Sequence, residues 1–217
     1  MTLADSPYEV GLEKIDPRTA LILIPCSGTK ATGGKTPSVD APPNWSYELR
    51  KARAQLRQIA NIDEDLVMPA WMRYTGYLYE AAKPFLAEAV SCGANIEILS
   101  GGYGLVHAIE EIGMYDRLMN PKDWPRGLIE KELIAEATRL GVKNVVCFAA
   151  KTTGYATIIR RTKWQLADIA RVVLVTANGN QSGALRKVPH DLGLAFGAYW
   201  SGQADRYPVD LTYEVLL

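Results

Sequence analysis

Thr19-Ala-Leu-Ile-Leu-Ile-Pro-Cys-Ser-Gly-Thr-Lys30 points to the fold class. Its opening is a short, unbroken apolar run, which suits a strand buried on both faces of a parallel sheet. Cys26 to Lys30 is then a small polar turn. The same succession recurs three times downstream. Asn95-Ile-Glu-Ile-Leu99 enters Ser100-Gly-Gly-Tyr-Gly104, Asn144-Val-Val-Cys-Phe-Ala149 approaches Lys151, and Arg171-Val-Val-Leu-Val-Thr176 approaches Asn178.

Helical patterns separate these runs. Ser46 is placed to N-cap a helix over roughly 47–60, with Tyr47, Ala52, Leu56 and Ile59 as its apolar positions. Tyr77 to Val90 reads as helix, with Pro84 either kinking it or opening a new first turn. Arg126 to Leu140 is amphipathic and closed by Gly141. Further helices are expected over Thr153 to Lys163 and within Leu185 to Trp200. Ala31 to Asn44 reads as a loop, Pro69 to Gly76 as a connector, and Asn178 to Ser182 as a polar turn. Alternating strands and helices predict one α/β domain over 1–217, with residues 1–17 a loosely ordered lead-in. Its central sheet is expected to be mostly parallel, with at least four strands and flanking helices.

Composition fits one ordinary globular domain: 217 residues, 48% hydrophobic and 22% charged. Lys plus Arg and Asp plus Glu balance at 24 each, so a nucleic-acid partner would have to be met by a local basic patch. The apolar runs fall far short of a membrane span and the start is unlike a signal peptide, which predicts a cytoplasmic protein without membrane partners. Cys26, Cys92 and Cys147 form no C-x-x-C pair and read as reduced thiols. His107 and His190 stand in no zinc-like spacing, so a His/Cys metal site is not expected, and a hard cation held by carboxylates stays open.

In parallel sheets ligands bind at the carboxyl ends of the strands, where Cys26, Ser100, Lys151 and Asn178 all fall. Lys30 is the candidate for holding a phosphate or carboxylate, with hydroxyls from Ser27 and Thr29. Cys26 is either a nucleophile helped by Lys30 or a small buried residue. No Walker spacing and no G-x-G-x-x-G is present, so no cofactor is implied. The Ser100-Gly101-Gly102-Tyr103-Gly104 loop either exposes amides to a ligand or simply turns tightly. Tyr103 either stacks on a base or packs in the core. Asp116 is the favoured proton carrier, whereas Glu110 and Glu111 read as a solvated face and His107 as structural or solvated. Arg50, Arg53 and Arg57 share one helix face and either track phosphates or face water.

Several blocks resemble the YaaA peroxide-stress protein family. Met68-Pro-Ala-Trp-Met-Arg-Tyr-Thr-Gly-Tyr-Leu-Tyr79 is similar to its Pro-Ala…Gly-x-x-Tyr segment, and Leu99-Ser-Gly-Gly-Tyr-Gly-Leu105 to its Leu-Ser-x-x-Tyr-Gly-Leu loop. Met114-Tyr-Asp-Arg-Leu-Met119 and Phe148-Ala-Ala-Lys-Thr-Thr-Gly-Tyr155 resemble two further blocks, in the family's order. Two departures stand out. Met114 replaces a proline, and Pro25-Cys26-Ser27-x-x-Lys30 replaces Ser-Pro-Ala-Lys; that form is instead similar to one domain of archaeosine synthases. The resemblance implies a YaaA-like fold and a protein that binds DNA or a nucleotide-like ligand and processes a base in oxidative-stress or nucleic-acid maintenance. Two alternatives stay open: a small-molecule enzyme on free nucleotides or nucleosides, such as an N-glycosidase, and a non-enzymatic DNA- or iron-protective protein. The expected site joins Cys26 to Lys30, Gly76 to Tyr79, Ser100 to Gly104, and Tyr115 with Asp116.

Overall fold

The computed structural model describes residues 11–37, 45–177, 183–203, 206–208 and 210–217. Strands β1 (Leu21–Pro25), β3 (Asn95–Ser100), β6 (Asn144–Ala150) and β7 (Arg171–Ala177) are the four anticipated apolar runs. They lie side by side and parallel, in the order β3-β1-β6-β7. Their interior residues are almost wholly buried, as an unbroken apolar strand requires.

Two antiparallel strands complete the six-stranded sheet: β4 (Gly104–His107) beside β3 and β8 (Leu211–Val215) beside β7. A separate two-stranded sheet pairs β2 (Asp63–Pro69) with β5 (Glu111–Met114). All four of these strands lie outside the sequence reading. They are short and made by pairing partners rather than by a strong period of their own, so local pattern gives little warning.

The helices are α1 (Tyr47–Ile59), a single turn α2 (Ala70–Arg73), α3 (Tyr77–Ser91), α4 (Leu128–Leu140), α5 (Gly154–Arg161) and α6 (Ala184–Ser201). The Ser46 hydroxyl caps α1 by accepting from Leu49 N at 3.0 Å. The inward face of α1 is Leu49, Ala52 and Leu56; Tyr47 and Ile59, expected to be buried, are exposed. Pro84 sits inside α3 without ending it. At the close of α4, Gly141 takes a left-handed conformation (φ 64°), as expected of a C-terminal glycine.

The chain leaves β1 toward β3 in one direction across the sheet, and runs from β3 to β6 and β7 in the other. Right-handed crossovers therefore put α3 on one face and α4 and α5 on the opposite one. α6 packs along α3. The reversal makes the gap between the carboxyl ends of β1 and β6 a topological switch point, where open α/β sheets hold their ligands.

The described part of the lead-in is built into the fold rather than loose. A 3₁₀ turn at Leu12–Lys14 buries Leu12 and Ile15 in the core. Residues 1–10, the loop positions 38–44 and Asn178 to Ser182 lie outside the described residues.

Candidate functional site

β1 ends at the switch point with Cys26, whose backbone N donates to Leu99 O at 2.9 Å and so fastens this turn to the end of β3. The Cys26 thiol lies 3.1 Å from the hydroxyl of Tyr155, on α5 after β6. One hydrogen bond thus spans the gap between the two diverging halves of the sheet.

Beside it three hydroxyls form a closed, buried group. Tyr74 OH lies 2.8 Å from Tyr115 OH and 3.2 Å from Ser100 Oγ, and Ser100 Oγ lies 2.9 Å from Tyr115 OH. Burial pushes the Tyr74, Tyr115 and Tyr155 hydroxyls above the usual phenol range, so these groups stay protonated and neutral.

Lys30 sits on this platform. Its Nζ is 4.0 Å from the centroid of the Tyr115 ring and 5.9 Å from that of Tyr74, and it donates to Ser27 O at 3.0 Å. Burial lowers its pKa, with Cys26 and Asp116 acting in the opposite direction. An ammonium among phenol faces and a carbonyl, with no carboxylate salt bridge among the described residues, is under-compensated and ready to meet an anion.

The backbone carrying Lys30 is held from beneath. Arg73 is fully buried, and its guanidinium donates to Ala31 O (2.7 Å), Gly33 O (3.1 Å), Leu66 O (2.8 Å) and Ile112 O (3.3 Å). It ties the loop after Lys30 to the small sheet. Gly76 closes the other side, where an added Cβ would stand 2.1 Å from Ser27 Oγ.

The predicted residues divide into two sets. Cys26, Ser27, Lys30, Gly76, Ser100 and Tyr115 come together at this edge, and Ser27 Oγ accepts from Thr29 N at 3.1 Å. Asp116 is exposed and close enough to influence Lys30 electrostatically. Tyr79 is buried, donating to Pro25 O at 2.9 Å, and serves the scaffold.

The glycine loop is the turn of a β-hairpin: Ser100 pairs with Gly104 across Gly101, Gly102 and Tyr103. Gly104 takes a positive φ of 76°, as the last position of such a turn demands. The loop is buried under the following segment, and a Cβ on Gly101 would stand 2.2 Å from Arg117 O. Tight turning, not a phosphate cradle, explains these glycines. Tyr103 is likewise a core residue, donating to Glu64 Oε1 and accepting from Gly113 N, both at 3.0 Å.

The arginine stripe also differs from a free basic face. Arg53 points inward, donating to Tyr103 O at 2.8 Å, to Leu105 O, and to Glu110 Oε1 at 2.7 Å. Arg50 donates to Trp45 O, and Arg57 pairs with Glu64 at 3.0 Å. Glu110, expected to be solvated, is buried and also accepts from Trp45 Nε1 at 2.8 Å; Glu111 meets Lys35 at 2.7 Å.

His107 belongs to a second cluster. It faces Glu97 across the β3–β4 pair, and its Nδ1 is hydrogen-bonded to Glu97 Oε1. Burial raises the Glu97 carboxyl to about 7, against the influence of His107. Burial opposes charge on His107 itself, but Glu97, Glu136 and Glu110 outweigh it and raise its pKa.

Sequence reasoning passed over Arg73, Tyr74 and Tyr155, although all three lay within the family-like blocks. Glu97 left a clearer signal: an acid at the centre of an otherwise apolar strand.

No helix among the described residues is long and apolar enough to cross a membrane. No family model, curated protein or solved structure matches the chain.

Proposed function

We propose that the switch-point edge binds a nucleotide-like ligand, with Lys30 holding its anionic group and the Ser27–Lys30 turn receiving it from solvent. The observation that carries this reading is the Lys30 ammonium, partly desolvated over Tyr115 and in no carboxylate salt bridge among the described residues. The half-buried Ser27 and exposed Gly28 and Thr29 leave that side of the turn open. Asp116, exposed beside Lys30, is the group suited to carry a proton if the base is processed. A small ligand is favoured over duplex DNA because the guanidinium of Arg53 is engaged inside the protein. The reading agrees with the YaaA-like blocks and keeps nucleoside cleavage as its enzymatic form.

The test is calorimetric titration with a panel of nucleoside mono- and diphosphates, nucleosides and a short DNA duplex at low salt. A phosphate-bearing nucleotide is expected to bind, and Lys30→Met to weaken it by about 10- to 100-fold, the scale of one charge-assisted hydrogen bond. Arg50→Glu with Arg57→Glu should leave that affinity unchanged. If only the duplex binds, and this double variant abolishes it, the basic face is the site and the reading fails.

A further inference from the structure

Glu97 and Ser100 lie three residues apart on β3, an odd spacing that directs them to opposite faces of the sheet. Glu97 faces α4, where a cleft of about 270 Å³ is lined by Ile96, Glu97, His107, Glu136, Arg139 and Leu140. Ligand-type atoms of Glu97, His107 and Glu136 all lie within 4.8 Å of one another, and His107 Nδ1 is 3.9 Å from Glu136 Oε1. Glu97 is 2% exposed, and its Oε2 is buried without any hydrogen-bond partner. A buried carboxylate oxygen left unpaired is costly, and in native structures such an atom commonly awaits an ion or water.

We propose that Glu97, His107 and Glu136 bind one divalent first-row transition-metal ion of the zinc type, with open coordination positions toward the cleft. Tetrahedral bonds of about 2.0–2.2 Å put a metal's ligand atoms roughly 3.3–3.6 Å apart, so a cluster whose ligand atoms lie within 4.8 Å of one another closes on an ion by side-chain rotations of about an ångström. One imidazole favours a transition metal over magnesium or calcium, and the two carboxylates supply its oxygen ligands. The proton now shared between Glu97 and His107 leaves as the metal takes both lone pairs.

The surroundings already hold the ligands in place. Trp45 stacks on the His107 ring at 4.4 Å with an interplanar angle of 19°. Arg139 donates to both Glu136 oxygens, fixing that carboxylate as outer-shell partners fix ligands in known sites. Three protein ligands beside a cleft are the pattern of a site that takes water or an oxygen ligand, not of a closed four-ligand structural site. This site faces the other side of the sheet from Lys30 and does not rest on the nucleotide reading.

Titration of the chelator-treated full chain with Zn²⁺ is expected to load one ion per chain. Co²⁺ should give visible bands of nitrogen and oxygen ligation. His107→Gln and Glu136→Gln should each weaken binding by at least ~10-fold. Glu136→Gln lies on a helix and retains an oxygen for Arg139, so its urea midpoint should stay near that of the parent. Glu97→Gln alters a buried strand residue and is read only if it folds. Three results would each overturn the proposal: no saturable uptake up to about 1 mM, unchanged affinity in both the His107 and Glu136 variants, or a sulfur-to-cobalt band placing the ion on a cysteine.

Discussion

The two polar clusters on β3 handle charge in opposite ways. At its carboxyl end, one cation rests among neutral hydroxyls and carbonyls: Lys30 over Tyr115, near Tyr74 and Ser100. In its middle, on the other face, two buried acids share one imidazole and an arginine. The first holds an ammonium in no carboxylate salt bridge among the described residues, and the second holds a buried carboxylate oxygen, Glu97 Oε2, without a hydrogen-bond partner. Neither deficit is visible in the balanced net charge, because burial, not composition, decides what a charge costs. In the two readings proposed above, an anion completes the first and a metal cation completes the second.

Four perturbations probe this contrast, beginning with the largest expected effect. Asp116 and Glu97 are both acids, one exposed near Lys30 and one buried against His107. With any nucleoside that the protein cleaves, Asp116→Asn should slow release of the base by ~10²–10⁴-fold, the scale of general acid–base help. Its melting temperature should not move. A large fall in melting temperature with the rate intact would assign Asp116 to the scaffold instead.

The next effect concerns the support under Lys30. Arg73→Ala removes the donors from four backbone carbonyls, that of Ile112 buried and the others half-buried, and leaves a cavity, and should cost about 4 kcal/mol in urea unfolding. A loss under about 1 kcal/mol would mean that the loop after Lys30 needs no such tie.

Tyr74→Phe deletes one hydroxyl from the buried group and leaves Ser100 and Tyr115 bonded to each other. The expected loss is about 1 kcal/mol by urea unfolding, because two of the three members remain satisfied. A neutral result would show that the tyrosine group is packing alone.

The smallest effect is a dependence on pH. The folded pKa of Lys30 lies below its unfolded value of 10.5, so between the two the unfolded chain binds more protons. Stability from this residue therefore rises with pH across that window and levels off above 10.5. Comparing urea midpoints at pH 8 and pH 10, Lys30→Met should remove that part of the rise. Identical slopes in both proteins would mean that Lys30 is hydrated in the folded state.

The four parallel strands and the long helices were legible because each carries its own period or apolar run, and burial on both faces demands such a run. Ser46, Gly141 and the placement of Cys26 and Ser100 at strand ends followed for the same local reason. The edge strands β4 and β8 and the small sheet of β2 and β5 were not, since a short strand with mixed residues is specified by its neighbour. The phase of α1 was misplaced by its ends: Leu49 faces inward and Tyr47 outward, because only the sheet beneath defines the inner side.

The sequence by itself thus determined an α/β chain with chemistry-bearing residues at the carboxyl ends of its parallel strands. Which of them meet was decided by the tertiary structure. The reversal of chain direction after β3 sets Cys26 against Tyr155, the hairpin covers the glycines that looked open, and the antiparallel pairing of β3 with β4 brings Glu97 against His107. These contacts join residues distant in sequence or opposed across a strand pair, and no local period encodes them. They arise only when the whole sheet assembles and removes their polar atoms from water.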